Sequence, residues 1–378
     1  MKSPEEKFIE IMQSNGIDLV AMLPCDRIKN FIPLIHEGFY EIPLTREENG
    51  IGICAGAYMA GSRPMMVIQS TGLGNMINAL ESLNVECDIP LPILASWRGV
   101  YKEKIEAQEP LGEHLPAILE GAEIKYTILD DPEKPYLLDY AIKDAYENLR
   151  PHVILASPKV WEGSVCDFWG KQKPVMIQER SHKVVFEKSI PEPKMIRNDA
   201  ISTIAPLLDD ELVVVNIGVP CKEMYAAKDR DLNFYMFGSM GLASSIGTGL
   251  AMYSDRKVVV LDGDGSLLMN PNTLVEAARI SPKNLIIIGL DNGAYGSTGS
   301  QETFTANFLD LELLALACGI ENTMKVSTKE ELEKAYRAAQ ESDKFTFIHV
   351  ILRSGNTAAP NIPMSPAEAT RRFMDAIK

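Results

Sequence analysis

Short runs of apolar and β-branched residues alternate with amphipathic helical stretches along most of this 378-residue chain. Runs such as MMVIQ and PILA are apolar almost throughout instead of alternating with polar residues. Continuous runs of this kind favour strands that are buried on both faces of a parallel sheet. We therefore predict an α/β fold with doubly wound parallel sheets.

The alternation stops once, between residues 157 and 193, where prolines and glycines lie among charged residues. This composition is typical of a linker that crosses a protein surface. We predict a first domain over 1–160, a linker over 161–194 and a second domain over 195–378, with about six strands in each domain. The predicted strands are 18–23, 41–45, 64–70, 91–95, 124–129, 152–156, 212–218, 234–237, 257–262, 285–291, 323–326 and 345–352. The predicted helices include 27–35, 47–60, 75–83, 136–149, 240–253, 267–279, 310–317 and 329–342.

The composition excludes several classes of protein. The chain is 46% hydrophobic and 24% charged, which is enough apolar material for a sizeable core. Its 52 acidic and 37 basic residues give a net charge of −15, which argues against a nucleic-acid-binding protein or one held on anionic lipid. Because surface charge is screened over about 8 Å in physiological salt, we expect an anion-binding site in this protein to be locally positive in spite of that total.

The cysteines and the N-terminus predict a soluble cytoplasmic protein. None of the six cysteines forms a Cys-x-x-Cys pair or shows zinc-finger spacing, so we expect reduced and mostly buried thiols. The N-terminal segment has no apolar signal core, and no window approaches 18 uninterrupted apolar residues. The cysteines are Cys25, Cys54, Cys87, Cys166, Cys221 and Cys318.

Polar residues follow two successive apolar runs in the second half. The segment KVVVLDGDGSLLMN places Asp264 between Gly263 and Gly265, and NLIIIGLDNGAYGSTG places Asn292 after the next predicted strand. Ligand sites in open α/β sheets lie at the carboxyl ends of strands, so we expect Asp264 and Asn292 to meet. Carboxylate and amide oxygens suit Mg²⁺, and glycines let backbone N–H groups approach a phosphate. Each segment by itself is better explained as a turn that ends a strand.

Together, with 26 residues between Gly265 and Asn292, the two segments resemble the fingerprint of the thiamine-diphosphate-dependent enzymes. The resemblance implies thiamine diphosphate and Mg²⁺ as cofactors. It also implies that the metal is held by Asp264, Asn292 and the backbone carbonyl of Ala294. The cofactor contacts that it implies in these segments are Gly263, Asp264, Gly265, Ser266, Asn292, Ala294 and Tyr295.

A third segment, FYMFGSMGLASSIGTGLA, is similar to the Gly-x-Met-Gly element of that family. The resemblance implies that Met240 wedges beneath the cofactor and bends it. Gly238 and Ser239 would then lie beside the aminopyrimidine ring. A glycine-rich turn that enters a core helix is the simpler explanation of this segment alone.

A fourth segment, EIPLTREENGIGICAGAYMAG, resembles the family's activating glutamate and the small-residue helix that follows it. The family uses this buried carboxylate to promote the imino tautomer of the cofactor. Alignment on Ala-Gly-Ala-Tyr selects Glu48 as the catalytic residue, with Glu47 as the second candidate. Without the resemblance, both glutamates are explained by the helix dipole, which is worth about 0.3–1 kcal/mol. The next strand leads into either an ordinary turn or further cofactor contacts at Thr71, Gly72 and Asn75.

The short linker leaves no room for the middle domain that is usual in this family, which narrows the resemblance to the two-domain decarboxylases of 3-phosphonopyruvate and 3-sulfopyruvate. The segments LVAMLPCDRIK, STGLGNMINALESLN and NIGVPCKEMY are similar to the sulfopyruvate group, and the chain resembles that group's separate alpha and beta subunits fused in order. The implied reaction converts 3-sulfopyruvate to sulfoacetaldehyde and CO₂, in coenzyme M biosynthesis. Such a substrate needs cations and N–H donors, although each candidate also has an ordinary role at a turn or a solvated surface. The candidates are Arg98, Gln108, His114, Lys222, Ser297 and Thr298.

Other functions stay open at this stage. A phosphonopyruvate decarboxylase and an acetolactate-type carboligase share the cofactor segments. A dinucleotide-binding protein is disfavoured because no Gly-x-Gly-x-x-Gly opens a helix after the first strand. A non-catalytic relative is disfavoured because Glu48, Asp264 and Asn292 are all present. The resemblance further implies a homodimer or a higher even homo-oligomer with each active site between two subunits.

Overall fold

A computed structural model of the chain describes residues 2–164 and 189–378. Its contacts divide the chain into two units, Met1–Ser181 and His182–Lys378. Most of the predicted linker at 161–194, with Cys166 and His182, lies outside the described residues, so the predicted domain boundaries stay predictions. In the two described ranges, no helix is long and apolar enough to cross a membrane.

The first unit contains a six-stranded parallel sheet. Its strands are β1 (Leu19–Met22), β2 (Tyr40–Pro43), β3 (Pro64–Gln69), β4 (Leu91–Ser96), β5 (Lys125–Leu129) and β6 (Pro151–Ala156). They lie in the order β2-β1-β3-β4-β6-β5, and each neighbouring pair is parallel. The helices are α1 (Pro4–Ser14), α2 (Ile32–Gly38), α3 (Glu47–Met59), α4 (Ile77–Ala79), α5 (Glu109–Gly121) and α6 (Tyr136–Glu147).

The second unit contains another six-stranded parallel sheet and a short antiparallel hairpin. Its strands are β7 (Leu212–Val215), β8 (Asn233–Tyr235), β9 (Val258–Gly263), β10 (Leu285–Asp291), β11 (Ala294–Tyr295), β12 (Gln301–Glu302), β13 (Asn322–Val326) and β14 (Thr346–Ile351). The sheet has the order β13-β14-β10-β9-β7-β8, and β11 and β12 form the hairpin. The helices are α7 (Arg197–Ile204), α8 (Val219–Lys228), α9 (Ala243–Tyr253), α10 (Asp264–Met269), α11 (Asn272–Ile280), α12 (Leu311–Ala317), α13 (Lys329–Glu341) and α14 (Pro366–Ile377).

The two sheets share one topology. When the six sheet strands of each unit are counted in chain order, both sheets have the order 2-1-3-4-6-5. In such a sheet the direction of winding reverses between the first and third strands, and a crevice forms there at the carboxyl ends. In the second unit these strands are β7 and β9. The predicted fold class, two doubly wound parallel α/β sheets without a middle domain, is confirmed.

Continuous apolar sequence explains which strands lie at the centre of each sheet. β7 is LVVV and β9 begins VVVL, and all eight of these residues are buried. Two covered faces require apolar residues at every position, whereas a half-exposed strand would alternate. The same argument applies to α3, whose small and apolar residues are buried on nearly every side of the helix.

One predicted helix is wrong in its extent. The helix predicted over 267–279 is two helices, α10 and α11, which are separated at Pro271. Proline lacks a backbone N–H and disfavours a helical conformation in the preceding residue. Asn270 accordingly leaves the helix with φ −143° and ψ 66°.

The helices predicted over 27–35 and 75–83 also begin later than expected, since 3₁₀ turns precede α2 and α4. His114 belongs to helix α5, which is not among the predicted helices named above. Pro110 lies in the first turn of α5, where proline is compatible with a helix because those N–H groups have no intrahelical partner.

The described cysteines carry free thiols, as the sequence predicts. Burial raises the pKa of the Cys54 and Cys221 thiols. Cys25 and Cys87 are also buried, and Cys318 is partly exposed.

Candidate active site

A cavity of about 260 Å³ lies in the second unit at the carboxyl ends of β7, β9 and β10. It occupies the crevice that the reversal of winding creates between β7 and β9. The predicted cofactor and substrate contacts that line it are Met240, Gly263, Asp264, Gly265, Ser266, Asn292, Ala294, Tyr295, Ser297 and Thr298. The rest of its wall consists of Arg197, Asn216, Ile217, Gly218, Pro220, Leu290 and Gly296.

Asp264 and Asn292 are both buried in the wall of this cavity. Asp264 begins α10 directly after β9, and Asn292 follows β10, the neighbouring strand. The amide oxygen of Asn292 accepts a hydrogen bond from the backbone N–H of Ala294 at 3.2 Å. Within the described residues, the amide nitrogen of Asn292 has no partner. The structure therefore brings together the two side chains that the sequence spacing predicts to meet.

The carboxylate of Asp264 is in an environment that favours a neighbouring cation. Burial, and next the charge of Asp291, raises the pKa of Asp264 to about 6. Hydrogen bonds from the hydroxyls of Thr303 and Thr305 oppose this rise. A cation beside a buried carboxylate stabilises the ionised form.

The oxygens at this site fit a magnesium ion that also binds phosphate. One carboxylate, one amide oxygen and a backbone carbonyl fill part of an octahedral shell and leave positions for phosphate oxygens and water. The buried amide oxygen of Asn216, in the same wall, has no partner among the described residues. No group of three or more His, Cys, Asp or Glu side chains in residues 2–164 and 189–378 is placed to hold a metal. The donor set at this cavity is thus one carboxylate with neutral oxygens.

Gly265 is required for the close approach of the hairpin to the first turn of α10. A Cβ atom at this position would lie 2.4 Å from the ring of Tyr295 on β11. Any larger residue would displace that ring from the cavity wall. This contact is the physical reason for the second glycine of the Gly-Asp-Gly segment.

The turn after β8 presents Met240 to the cavity. Ser239 adopts a left-handed conformation with φ 54°, which is uncommon for a residue other than glycine and marks local backbone strain. The backbone N–H of Gly241 donates to the hydroxyl of Ser266 at 3.0 Å, which links this turn to the start of α10. Met240 and the Gly-Asp-Gly segment therefore belong to one connected wall.

The side chains of the cavity do not produce the locally positive site that the sequence leads us to expect. Among the described lining residues, Arg197 and Asp264 are the charged ones, and their charges balance. The Nε of Arg197 donates to the buried Glu223 at 2.8 Å, and its Nη2 donates to Asn356 at 2.9 Å. Side chains of the wall alone therefore do not give this cavity a positive potential. Sequence reasoning missed Arg197, because its partners are 26 and 159 positions away.

In the first unit, the two candidate glutamates at the start of α3 have different surroundings. Glu47 is buried. Its carboxylate packs so closely against Gly72 that a Cβ atom at position 72 would lie 2.3 Å from Oε1 of Glu47, and the amide nitrogen of Asn75 is 3.5 Å from Oε2. Glu48 points elsewhere, is partly exposed, and accepts a hydrogen bond from Nε of Arg46 at 3.0 Å. Glu47 is thus committed to its own unit, whereas Glu48 is at a surface.

The predicted contacts Thr71, Gly72 and Asn75 lie in the 3₁₀ turn Ser70–Asn75, directly after β3. The hydroxyl of Thr71 accepts a hydrogen bond from the amide of Gln69. The structure places Gly72 and Asn75 beside Glu47, not Glu48.

Arg98, a candidate for substrate binding, is instead enclosed by acidic partners. Its Nε and Nη2 donate to the two carboxylate oxygens of Glu103 at 2.8 and 2.9 Å. Its Nη1 donates to Asp26 at 2.8 Å and to Gln69 at 3.1 Å. With its donors occupied in this way, the buried guanidinium favours a structural role over one in gripping an anion.

The remaining substrate candidates are scattered. His114 is exposed on α5, and Lys222 lies in the first turn of α8 without being part of the cavity wall. The buried amide oxygen of Gln108 has no partner within the described ranges. Ser297 and Thr298 do line the cavity.

A second residue missed by sequence reasoning is His349. It is fully buried on β14, with Nε2 2.8 Å from Asp291 and Nδ1 3.3 Å from Asp310. Although burial lowers it, these carboxylates raise the pKa of His349 above its usual value overall. The imidazole thus holds Asp291, the residue before Asn292, from behind the cavity.

Family models match both halves of the chain. The model described as thiamine pyrophosphate enzyme, N-terminal TPP binding domain, matches residues 4–117. The C-terminal TPP binding domain of the same enzymes matches residues 218–350. The second match contains the cavity residues from Gly218 onward, and the first contains α3.

Curated relatives extend over almost the full length. The chain is 64% identical over 378 residues to sulfopyruvate decarboxylase of Methanosarcina acetivorans, covering 99% of this chain and 98% of that one. It is 30% identical to phosphonopyruvate decarboxylase of Streptomyces viridochromogenes, covering 95% and 91%. Separate subunits also match. Sulfopyruvate decarboxylase subunit beta of Methanocaldococcus jannaschii is 46% identical, and the match covers 45% of this chain and 90% of the subunit. Sulfopyruvate decarboxylase subunit alpha of Methanococcus maripaludis is 40% identical, and the match covers 43% of this chain and 98% of the subunit.

Among solved structures, benzoylformate decarboxylase from Polynucleobacter necessarius superimposes with a TM-score of 0.73. The match covers 94% of this chain and 100% of that one at 14% identity. At this level of identity the likeness concerns the fold alone.

Proposed function

The chain belongs to the thiamine pyrophosphate enzymes, in the group of the sulfopyruvate decarboxylases, and on that premise we propose that it converts 3-sulfopyruvate to sulfoacetaldehyde and CO₂. The observation that carries the proposal is the cavity that unites Met240, Asp264 and Asn292 at the carboxyl ends of β7, β9 and β10. The 64% identity to a sulfopyruvate decarboxylase, against 30% to a phosphonopyruvate decarboxylase, supports this choice of substrate. We place the reaction in coenzyme M biosynthesis, as the sequence resemblance implies.

The residues that would hold the cofactors lie in the second unit. Asp264, Asn292 and the carbonyl of Ala294 would bind Mg²⁺, which would neutralise part of the charge of the diphosphate. When bound, thiamine diphosphate supplies the carbon nucleophile and accepts the electron pair that CO₂ leaves behind. Met240 would support its bent conformation, and Gly238 and Ser239 would flank the aminopyrimidine. The Gly-Asp-Gly segment offers backbone N–H groups at the start of α10 to the phosphates.

Glu48 is proposed to hold a proton at the aminopyrimidine ring. A residue with this role must project away from its own unit if the cofactor is bound by a second copy of the chain. The partly exposed carboxylate of Glu48 meets that requirement, and the enclosed carboxylate of Glu47 does not. Thr71, Gly72 and Asn75 follow the next strand and would contribute to the same surface.

The sulfonate and carboxylate of the substrate need donors near the cofactor. Ser297 and Thr298 are the proposed donors in the cavity wall, and Lys222, Gln108 and His114 are further proposed donors that are not among the residues of that wall. Arg98 is proposed as a structural residue because its guanidinium is already paired.

We further propose a homodimer or a higher even homo-oligomer. Phe304 and Phe308 are 70% and 86% exposed, which is unusual for two phenylalanines so close in sequence. The turn Phe304–Ala306 packs against α10, which begins with Asp264 and ends with the exposed Met269. This apolar surface next to the cavity suits a second copy. Sedimentation velocity would contradict the proposal by finding a monomer at micromolar concentration.

The assay that tests the function compares 3-sulfopyruvate, 3-phosphonopyruvate and pyruvate, with thiamine diphosphate and Mg²⁺ added or withheld. We expect free sulfoacetaldehyde from 3-sulfopyruvate, with the highest kcat/KM of the three, only when both cofactors are present. A higher kcat/KM for 3-phosphonopyruvate would show that it, and not 3-sulfopyruvate, is the substrate. A product with a new carbon–carbon bond would indicate a carboligase. Turnover without thiamine diphosphate would contradict the proposed function.

Arg98→Met is expected to destabilise the fold without weakening substrate binding. Arg98 and Glu103 form a buried ion pair, and removing one partner of such a pair lowers the free energy of unfolding by about 3 kcal/mol. Arg337→Met is the control: Arg337 pairs with Glu333 at the surface, so its loss should lower the free energy of unfolding by less than about 1 kcal/mol. Hydrogen bonds from Arg98 hold the pKa of Glu103 well below its usual range. The stability that this carboxylate contributes is therefore present above its unfolded pKa of about 4.3 and is lost as the pH falls below it.

Urea denaturation measures the stability of both variants, and steady-state kinetics measure KM for 3-sulfopyruvate. A tenfold rise in KM for Arg98→Met with unchanged stability would show that Arg98 binds the substrate.

A further inference from the structure

The loop that follows the β11–β12 hairpin brings two threonine hydroxyls to the carboxylate of Asp264. Thr303 donates a hydrogen bond to Oδ2 of Asp264, and Thr305 lies 3.1 Å from the same oxygen. The two hydroxyls are 2.9 Å apart, so they form one connected group. Thr303 is buried, and its backbone N–H donates to the carbonyl of Gly293 at 2.9 Å. The loop is therefore held where its hydroxyls meet Asp264.

Both contacts fall on one oxygen of the carboxylate. Neither threonine contacts Oδ1 of Asp264, so the two hydroxyls leave that oxygen open to a cation, while the backbone N–H of Gly265 also donates to the carboxylate. Two hydroxyl contacts on Oδ2 also restrain the rotation of the carboxylate about its Cβ–Cγ bond. A metal ligand that is oriented in this way loses less conformational freedom when the ion binds.

Thr305 has a second function in this arrangement. Its hydroxyl lies 2.7 Å from Oδ1 of Asp291, between two carboxylates whose charges repel each other. A hydroxyl has a single proton, so Thr305 donates to one of these carboxylates at a time, over 2.7 Å to Asp291 or over 3.1 Å to Asp264, while Thr303 donates to Asp264. His349 binds the other oxygen of Asp291 at 2.8 Å and holds it in place from the interior. The threonine pair thus connects Asp264 to a rigid buried anchor.

We propose that Thr303 and Thr305 are positioning residues of the metal site, which orient the Asp264 carboxylate and thereby set the affinity for the divalent cation. The proposal rests on the proposed function, since it requires a cation at Asp264 and Asn292. It assigns the Gln-Glu-Thr-Phe-Thr segment after β11 a role that the sequence analysis did not find. Neither threonine lines the 260 Å³ cavity, so both act through Asp264.

Thr303→Val and Thr305→Val test the proposal because valine keeps the shape of threonine and removes the hydroxyl. We expect the Kd for Mn²⁺, measured by electron paramagnetic resonance on the protein with thiamine diphosphate, to rise about 10–100-fold in each variant. At saturating Mg²⁺ we expect kcat to stay within about threefold of the unaltered chain. Thr303→Ser and Thr305→Ser keep the hydroxyl and should restore the affinity.

Thr370→Val is the matched control. Thr370 is buried on α14 and donates a hydrogen bond to the carbonyl of Pro366 at 2.9 Å, so the variant loses one buried hydroxyl contact away from the site. It should bind Mn²⁺ as the unaltered chain does. If Thr303→Val fails to fold, as judged by circular dichroism, the partly exposed Thr305→Val carries the test.

Three outcomes overturn the inference, and they are distinguishable. Folded valine variants with unchanged Mn²⁺ affinity would overturn the positioning role alone, because the unaltered chain would still bind the cation. An unaltered chain that binds neither Mn²⁺ nor thiamine diphosphate would overturn the proposed function, and this inference with it. An equal loss of affinity in Thr370→Val would show that the effect is one of general stability and would also overturn it.

Discussion

Glu48→Gln is expected to lower kcat at least about 100-fold while leaving the binding of thiamine diphosphate and Mg²⁺ unchanged. Glutamine keeps the size and polarity of the side chain but cannot hold the proton that the aminopyrimidine ring requires. Proton transfer by a positioned side chain is worth about 10²–10⁴ in rate, which sets the expected size of the loss. The direct measurement is the exchange of the cofactor C2 proton in D₂O, followed by proton nuclear magnetic resonance.

Glu47→Gln is the matched variant, since the two glutamates are adjacent on α3 and undergo the same chemical change. The Glu47 carboxylate is enclosed by Gly72 and Asn75, so we expect its substitution to alter the melting temperature more than the exchange rate. If Glu47→Gln abolishes C2 proton exchange and Glu48→Gln retains it, the assignment is off by one residue.

Asp264→Ala is expected to weaken the binding of Mg²⁺ and thiamine diphosphate by more than about 100-fold and to reduce turnover to background. Loss of an outer partner of a metal ligand costs about 10–100-fold in affinity, so loss of the ligand itself exceeds that. The melting temperature without cofactor should be maintained, because burial raises the pKa of this carboxyl and its charge is unfavourable when no cation is present. Isothermal titration calorimetry measures the affinity, and circular dichroism measures the melting.

Asp255→Ala removes the same charge at an exposed turn before the amino end of β9. It should bind both cofactors normally, which separates the effect of the ligand from that of net charge. Retention of cofactor affinity in Asp264→Ala would show that the metal lies elsewhere.

The fold was predictable because its strands are encoded by local sequence. Each buried strand is a short, continuous apolar run, and all twelve sheet strands fall on predicted ones within a few residues. The errors occur where a single residue overrides the pattern. Pro271 divides a helical pattern that is otherwise continuous.

The cavity wall was predictable in part, for a different reason. Asp264 and Asn292 each follow a strand, and neighbouring parallel strands bring their carboxyl ends together. Arg197, Thr305 and His349 have no such relation, because their partners come from other elements and are separated from them by 14 to 159 positions. A pairing of that kind depends on the packing of whole elements and leaves no periodic trace in the sequence.

The shared 2-1-3-4-6-5 topology has a consequence for how the protein is made. Each sheet takes its six strands from one continuous stretch of chain, and neither sheet borrows a strand from the other stretch. Once the ribosome has released β6, the hydrogen-bonding partners of the first sheet are all present, about 55 residues before β7 is synthesised. The first sheet can therefore fold during translation before the second sheet is synthesised. A gene split between the two stretches would still encode two complete sheets.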